Sequence, residues 1–288
     1  MRINIRSLKG IDYDEMTAAF NDAFSDYDIP AHYTTEYLRD LVLRRGYRPD
    51  LAAGAFDGKR LVGFVFNCLD GDEAYNSGTG VVISHRRLGI ARKLMERSIK
   101  TLPAKRYVLE VIETNERAAA LYRSLGFEET RRFQGWTHES GVILSREDGE
   151  GPRANRRVLR RAAPAQDDTP TLDQIRAWCD MTPSWQNSVA SIRRATEPFV
   201  VLGDERGGAV VFPSNGDVPL LAVAPEHRRK GLGRALLAAA HARAGKRLRI
   251  MNIDDRAAGI AAFLERCGAQ RMVRQIEMVK EIRAADSR

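Results

Sequence analysis

The chain has 288 residues, 43% of them hydrophobic and 29% charged, so it can form two domains of ordinary size that each bury a core. A net charge of +8 suits nucleic acid, an acidic membrane surface or a phosphorylated small molecule as a partner. No apolar run approaches the ~20 residues that span a bilayer, and the N-terminus, Met1-Arg-Ile-Asn-Ile-Arg, alternates like a strand and lacks a signal peptide's apolar segment. The expectation is a cytoplasmic protein with no membrane partner.

Cys68, Cys179 and Cys267 are odd in number and far apart, and the histidines show no ligand spacing, so neither a disulfide framework nor a metal is expected. The densest basic run, residues 153–161, has no interleaved aromatics on which bases would stack. It reads as a solvated linker leading into an edge strand, and no nucleic-acid partner is expected.

Residues 3–8 read as a first strand. Met16, Phe20, Ala23, Phe24 and Tyr27 recur at helical spacing over residues 12–28, and Pro30 ends that run. A second helix is expected from about Thr35 to Gly46. Apolar runs at 51–56 and 61–66 flank Asp57-Gly58, the pattern of a hairpin. A strand over 74–83 leads to a helix over 88–101, a strand over 107–112 and a short helix over 115–125, with Asn115 as its N-cap and Gly126 as its stop. Closing strands are expected at 128–133 and 141–145, and residues 147–155 have linker composition. The remainder repeats the plan. It has a short strand at 158–161, helices over 172–181 and 183–194, and strands at 199–202, 207–212 and 220–224. A helix over 231–245, a strand at 248–253, a helix over 257–266 ended by Gly268, and a strand over 272–282 complete it.

The stretch Arg86-Arg87-Leu88-Gly89-Ile90-Ala91 organises the first half. A strand, a basic glycine turn and a helix in that order make an anion site, because the turn's N–H groups and the positive end of the helix dipole converge there. The pattern recurs as Arg228-Arg229-Lys230-Gly231-Leu232-Gly233. Arg228 minus Arg86 is 142, and Gly268 minus Gly126 is also 142, with no gap between. Upstream, Val62-Gly-Phe-Val-Phe66 aligns with Gly208-Ala-Val-Val-Phe212 at an offset of 146, which predicts a connection four residues shorter in the second half. The chain therefore reads as a tandem duplication, with domains at 1–146 and 157–288 and a linker at 147–156.

At these residues both halves resemble the GNAT superfamily of acyl-CoA-dependent N-acetyltransferases. The family's phosphate turn, R/Q-x-x-G-x-G/A after a strand ending Val-x-Pro-Glu-x-Arg, stands here as Val81-Val-Ile-Ser-His-Arg-Arg-Leu-Gly-Ile-Ala91 and as Val223-Ala-Pro-Glu-His-Arg-Arg-Lys-Gly-Leu-Gly233. A second signature, Asn followed seven residues later by Tyr and then Leu-Gly-Phe, stands as Asn115…Tyr122-Arg-Ser-Leu-Gly-Phe127. The resemblance implies an α/β fold of mixed-sheet α+β type: two tandem GNAT acyl-CoA N-acyltransferase folds, with acetyl-CoA as co-substrate and no metal. It also implies that the CoA pyrophosphate rests on the N–H groups of Arg87, Leu88, Gly89, Ile90 and Ala91, with Arg86 and Arg87 adding charge. Pantetheine would pair with backbone at Val81 and Ile83, where a strand N–H also polarises the thioester carbonyl. A neutral amine then attacks directly, Tyr122 protonates the leaving thiolate, and Asn115 holds pantetheine or caps its helix. Glu110 is the first candidate for a base and Glu113 the second; each also reads as a solvated or cap-proximal charge. Asp22, Asp26 and Asp28 either attract a cationic amine or simply form a polar helix face. His85 and His227 share a repeat position that reads as surface, and Trp136 and Trp185 read as packing.

The second half departs from the pattern. Val223, Arg228, Arg229, Gly231, Leu232 and Gly233 keep the cofactor-binding positions, but Leu264 stands where Tyr122 does, Ala257 where Asn115 does, and Asn252 where Glu110 does. The expectation is an N-acetyltransferase acting on a primary amine of a small molecule, with the reaction in the first half. The alternatives are a protein lysine or N-terminal acetyltransferase, or a CoA-responsive regulatory protein with little turnover. Two fused copies mimic a dimer, so a monomer (a pseudo-dimer) or a homodimer is expected.

Overall fold

The computed structural model describes residues 3–27, 32–139 and 169–282. The strands expected at 141–145 and 158–161, the linker at 147–156, the basic run at 153–161, Asp28 and Pro30 lie outside the described residues. The chain forms two compact units. Unit 1 holds Met1–Thr130, Arg194–Thr196 and Ile276–Arg288; unit 2 holds Arg131–Arg193 and Glu197–Gln275.

In unit 1, β1 (Ile3–Ser7), β2 (Ala53–Asp57), β3 (Arg60–Asp70), β4 (Glu73–Val81) and β5 (Arg106–Ile112) lie side by side in chain order, and the C-terminal part of β11 (Gln270–Glu281) follows β5. β1 to β4 pair antiparallel, and β5 runs parallel to β4. Between β1 and β2 lie α1 (Tyr13–Ala23) and α2 (Thr35–Arg44); α3 (Ile90–Thr101) crosses from β4 to β5, and α4 (Glu116–Ser124) follows β5. The helices begin where the chain supplies caps. Asp12 accepts from the Glu15 N–H at 2.7 Å and Asn115 from the Ala118 N–H at 3.1 Å. Ile90, Leu94, Met95 and Ser98 form the buried stripe of α3, the amphipathic run closed onto β3 and β4.

β4 and β5 are paired only from Glu73↔Arg106 to Asn76↔Leu109, although β4 continues to Val81 and β5 to Ile112. The pairing stops where β4 carries one extra residue against β3, between Asn76 and Thr79. A bulge raises the local twist, and beyond it the two parallel strands part.

Unit 2 repeats this plan. Its strand order is β6 (Glu128–His138, from Arg131 onward), β10 (Leu248–Asp254), β9 (Asp217–Val223), β8 (Gly207–Phe212) and β7 (Val200–Asp204). Its helices are α5 (Leu172–Ala177), α6 (Val189–Arg193), α7 (Leu232–Ala244) and α8 (Ala258–Arg266). One apolar cluster joins Trp136, Leu221, Leu236, Leu248 and Leu264. β9 and β10 share a single parallel pair, Asp217↔Arg249, and β9 carries its own extra residue against β8 between Asp217 and Leu220.

Three expectations change. The Val82 N–H donates to the Val62 carbonyl and the Ala224 N–H to the Arg206 carbonyl, so β3 and β8 are related by 206 minus 62, or 144, rather than 146. The connection is two residues shorter in the second half, not four. A two-residue slip leaves every strand side chain on the same face, so the apolar pattern does not distinguish the two registers. The helix expected over 172–181 ends at Ala177, and the one expected from residue 183 is a 3-10 turn at Trp185–Asn187 followed by α6. There the hydroxyls of Ser188 and Ser191 both take the Trp185 carbonyl, competing with the helical ladder.

His138 on β6 and His241 on α7 are buried and bonded ring to ring. His138 Nε2 lies 2.9 Å from the Cys267 carbonyl, which only accepts, so that nitrogen carries the proton and His138 Nδ1 accepts from His241. Burial, then the neighbouring His138, pushes the His241 imidazole below its ordinary value. The unfolded chain therefore binds a proton at His241 at a pH where the folded unit does not. The contribution is intact above about pH 6.5 and is lost as pH falls below it. Thermal melts between pH 8 and pH 5 should show this decline in the wild type and a shallower one in His241→Leu.

Candidate functional site

A 3-10 turn at Ile83–His85 and the residues Arg86 to Gly89 join β4 to α3. Arg87 has φ 64° and Gly89 φ 71°, a left-handed alternation that turns neighbouring N–H groups into one concavity. Among the described residues, the N–H groups of Arg87, Leu88, Gly89, Ile90 and Ala91 make no backbone hydrogen bond. They stand at the positive end of the 12-residue α3. A Cβ on Gly89 would meet nothing within 4 Å, so backbone conformation rather than crowding calls for glycine there. This set of convergent donors fits a pyrophosphate.

Arg86 does something else. Its Nη1 and Nη2 reach the two Asp26 carboxylate oxygens at 2.6 and 2.8 Å, Nη2 also donates to the Ala23 carbonyl at 2.8 Å, and Nε to the Val81 carbonyl at 3.4 Å. The side chain ties the turn to the ends of α1 and β4 instead of adding charge to the concavity. The same hydrogen bond holds the Asp26 carboxyl below the usual range. Arg228 repeats the arrangement in unit 2. It donates to Asp180 at 2.7 Å, the Trp178 carbonyl at 3.0 Å and the Val223 carbonyl at 3.0 Å. Arg229 has φ 61° and Gly231 φ 85°, and Leu232 and Gly233 open α7 with a Phe263 ring carbon 3.2 Å from where a Gly233 Cβ would stand.

Because the Val82 N–H faces β3, strand alternation turns the backbone of Val81 and Thr79 toward the gap between β4 and β5. The Ile83 N–H donates to Asp22 Oδ1 at 2.9 Å. Of the two positions expected to meet pantetheine, Val81 faces the gap and Ile83 is already bonded. Asn115 caps α4, and its amide nitrogen also donates to the Tyr27 hydroxyl at 2.7 Å. Tyr122, 7% exposed, lies edge-on to Phe127. Burial pushes its phenol up to about 12, while a hydrogen bond from the Thr79 hydroxyl pulls it down.

Tyr27 and Thr79 thus join Asn115 and Tyr122, and sequence reasoning missed both. Tyr27 passes as one more apolar position after α1, and Thr79 as an ordinary strand residue. The signal for Thr79 lies in the repeat, since Thr79 faces Val65 on β3 as Leu221 faces Ala209 on β8. Glu110 is half-buried on β5 and hydrogen-bonds the buried Tyr75 hydroxyl, with Arg45 close by. Glu113 lies beyond the end of β5. His85 is buried rather than on the surface, with Ser84 at 2.9 Å and Asp57 at 3.4 Å from its ring nitrogens, because the 3-10 turn carries it back over the β2–β3 hairpin. Trp136 lies in the unit 2 core, and Trp185 is half-buried in its 3-10 turn. Among the described residues no three His, Cys, Asp or Glu side chains are grouped to hold a metal ion, and no helix is long and apolar enough to cross a membrane.

The profile of the Acetyltransferase (GNAT) family matches residues 13–127, and that of the Acetyltransferase (GNAT) domain matches residues 195–268. The chain belongs to the GNAT acetyltransferases, with two GNAT domains in tandem. No curated protein matches it in sequence. Its fold resembles that of a tandem GNAT protein from the clavulanic acid biosynthesis pathway, at 17% identity over 97% of this chain and 98% of that one with a TM-score of 0.65. It likewise resembles a GCN5-related N-acetyltransferase from Sphaerobacter thermophilus, at 14% identity over 98% and 96% of the two chains with a TM-score of 0.64. A putative acetyltransferase from Pyrococcus horikoshii, at 14% identity over 99% and 91% of the two chains, gives a TM-score of 0.64.

Each turn glycine carries a left-handed backbone with open space beside it. Gly89→Ala and Gly231→Ala should therefore each cost about 1 kcal/mol from backbone strain alone. Thermal denaturation should read this as a loss of roughly 2–4 °C for a chain of this size.

Proposed function

We propose that the protein transfers the acetyl group of acetyl-CoA to a primary amine of a small molecule, and that the first unit carries the reaction. The observation behind this reading is an asymmetry between two otherwise matched sites. Both units have the cradle and the arginine that braces it, but the polar groups at the strand gap belong to unit 1. Tyr122 is matched by Leu264, Asn115 by Ala257 and Thr79 by Leu221, all buried. Following Asp180 as Tyr27 follows Asp26, Met181 is half-buried against the apolar cluster. At the position of Glu110, Asn252 has φ 59° and donates to Ser184.

Acetyl-CoA supplies an activated acyl group whose thiolate needs a proton on leaving. The N–H groups of Arg87 to Ala91 hold the pyrophosphate, and the Val81 backbone receives the pantetheine arm, with its N–H as the oxyanion donor. Tyr122 keeps its proton at neutral pH, since its phenol stands at about 12, so it serves as general acid. Arg86 holds the turn in place, and Asn115 holds the start of the helix that carries Tyr122. Glu110, bonded to Tyr75, is the proposed base, with Glu113 second. Asp22 and Asp26 are engaged by Ile83 and Arg86, which leaves the amine to groups nearer the gap. The second unit shapes or stabilises the protein, and its cradle supports a second reading in which it binds CoA without turnover.

The test is thiol release from acetyl-CoA across an amine panel. Tyr122→Phe should lower kcat by about 10²–10⁴-fold with KM for acetyl-CoA unchanged, while Gly231→Ala leaves kcat unchanged. Turnover abolished by Gly231→Ala but kept in Gly89→Ala would place the reaction in the other unit. Thermal stabilisation by acetyl-CoA with no thiol release from any amine would favour the regulatory reading.

A further inference from the structure

Acyl transfer needs the acyl group and its proton donor at a fixed separation, since a misplacement of about 1 Å costs roughly 10²-fold in rate. The thioester is read at Val81, the last residue of β4, and its proton comes from α4, which follows β5. β4 and β5 share no pair beyond Asn76↔Leu109, so the ladder itself does not join these two ends. Side chains do. On the β4 side, Arg86 donates through Nε to the Val81 carbonyl and through Nη1 and Nη2 to the Asp26 carboxylate. Tyr27 is the next residue. Its N–H bonds the Phe24 carbonyl at 3.2 Å, and its ring stands edge-on to Phe24 with centroids 4.9 Å apart. On the β5 side, the Asn115 N–H donates at 2.9 Å to the carbonyl of Ile112, the last residue of β5. The Ala118 N–H, which can only donate, gives its proton to Asn115 Oδ1 at 3.1 Å. That contact fixes which end of the Asn115 amide is oxygen. The other end is the amide nitrogen, and it donates to the Tyr27 oxygen at 2.7 Å.

We propose that Tyr27 is a positioning residue: its bond to Asn115 carries the brace from Arg86 across to the start of α4, and so sets where Tyr122 stands relative to an acyl group at Val81. This rests on Tyr122 being the general acid. Tyr122 follows Asn115 by seven residues, about two helical turns, so the phenol rises from nearly the same face of α4 as its cap. The chain supplies its own comparison, because unit 2 keeps the brace without this link. Arg228 donates to the Val223 carbonyl and to Asp180, and the Ala257 N–H to the Asp254 carbonyl at 2.9 Å. Met181, standing for Tyr27, offers only its sulfur, a weak acceptor, to the Asp254 N–H at 3.1 Å. Ala257 has no polar side-chain group with which to cap α8 or to meet Met181. The helix position that Tyr122 holds is Leu264 there, which has no proton to place.

The experiment compares Tyr27→Phe, Asn115→Ser, the double variant and Tyr122→Phe in the full chain, by thiol release from acetyl-CoA with the best amine of the panel. Tyr27→Phe removes the accepting oxygen and keeps the ring. Asn115→Ser keeps a capping hydroxyl and is too short to reach Tyr27. Tyr27→Phe should lower kcat about tenfold and leave KM for acetyl-CoA unchanged, because the Arg86–Asp26 bonds that hold the cradle are untouched. In the Asn115→Ser background the same change should move kcat by less than about twofold, since the bond it removes is already gone. Three results overturn the link while a rate lost in Tyr122→Phe leaves the general acid standing. They are a Tyr27→Phe kcat within twofold of wild type, a KM that rises as kcat falls, and an undiminished loss in the Asn115→Ser background. If Tyr122→Phe keeps the rate, or no amine gives thiol release, the general acid falls and the proposal with it. If Tyr27→Phe does not fold, Asn115→Ser decides in its place: a kcat within twofold of wild type overturns the proposal, and a loss of about tenfold at unchanged KM supports it.

Discussion

Arg86 can make its contacts only if the end of α1, the last residue of β4 and the glycine turn arrive at one point. A guanidinium is planar and donates in fixed directions, so its bonds to Asp26, Ala23 and Val81 leave the turn little freedom. With the turn held, the N–H groups of Arg87 to Ala91 converge without needing a ligand to gather them. Arg228 does the same through Asp180, Trp178 and Val223. The charge that a sequence pattern assigns to phosphate binding is used to build the concavity, and the concavity itself is backbone.

The second constraint is the bulge. One extra residue in β4 ends its pairing with β5 at Asn76, and the freed lengths of strand frame a gap. Unit 2 has its own bulge, shifted by one position and containing Pro219, which donates nothing to a ladder. Architecture is therefore shared between the units, and the side chains at matched positions differ. In unit 1 they are Tyr27, Thr79, Asn115 and Tyr122; in unit 2 they are Met181, Leu221, Ala257 and Leu264.

Much of this was legible in the residues. Helical spacing, the Asp57-Gly58 hairpin, the Asn115 cap and the two glycine turns all report local physics, and the offset of 142 carries the duplication. What was not legible depends on tertiary direction. Nothing local separates Arg86, which points back into the fold, from Arg87, whose backbone is left-handed. The register of β3 against β4 is invisible to an alternation that repeats every second residue. His85 looked like a surface residue because its burial comes from the 3-10 turn, which no periodicity announces. Tyr27 and Thr79 have ordinary sequence neighbours, and only the folded β4 and the end of α1 bring them to Tyr122.

The boundaries of the two units fall inside β6 and β11, and this bears on the order in which the protein can be made. A chain emerging from the ribosome folds its leading domain first when that domain is contiguous. Here the strand that follows β5 in unit 1 is supplied by residues from Ile276 onward, and the Ile282 N–H bonds to the Lys105 carbonyl. Unit 2, whose residues are all synthesised before that segment, can close while unit 1 still has an open edge at β5. The half that carries the tyrosine is then completed after the other, and only once residues 276–282 have been made.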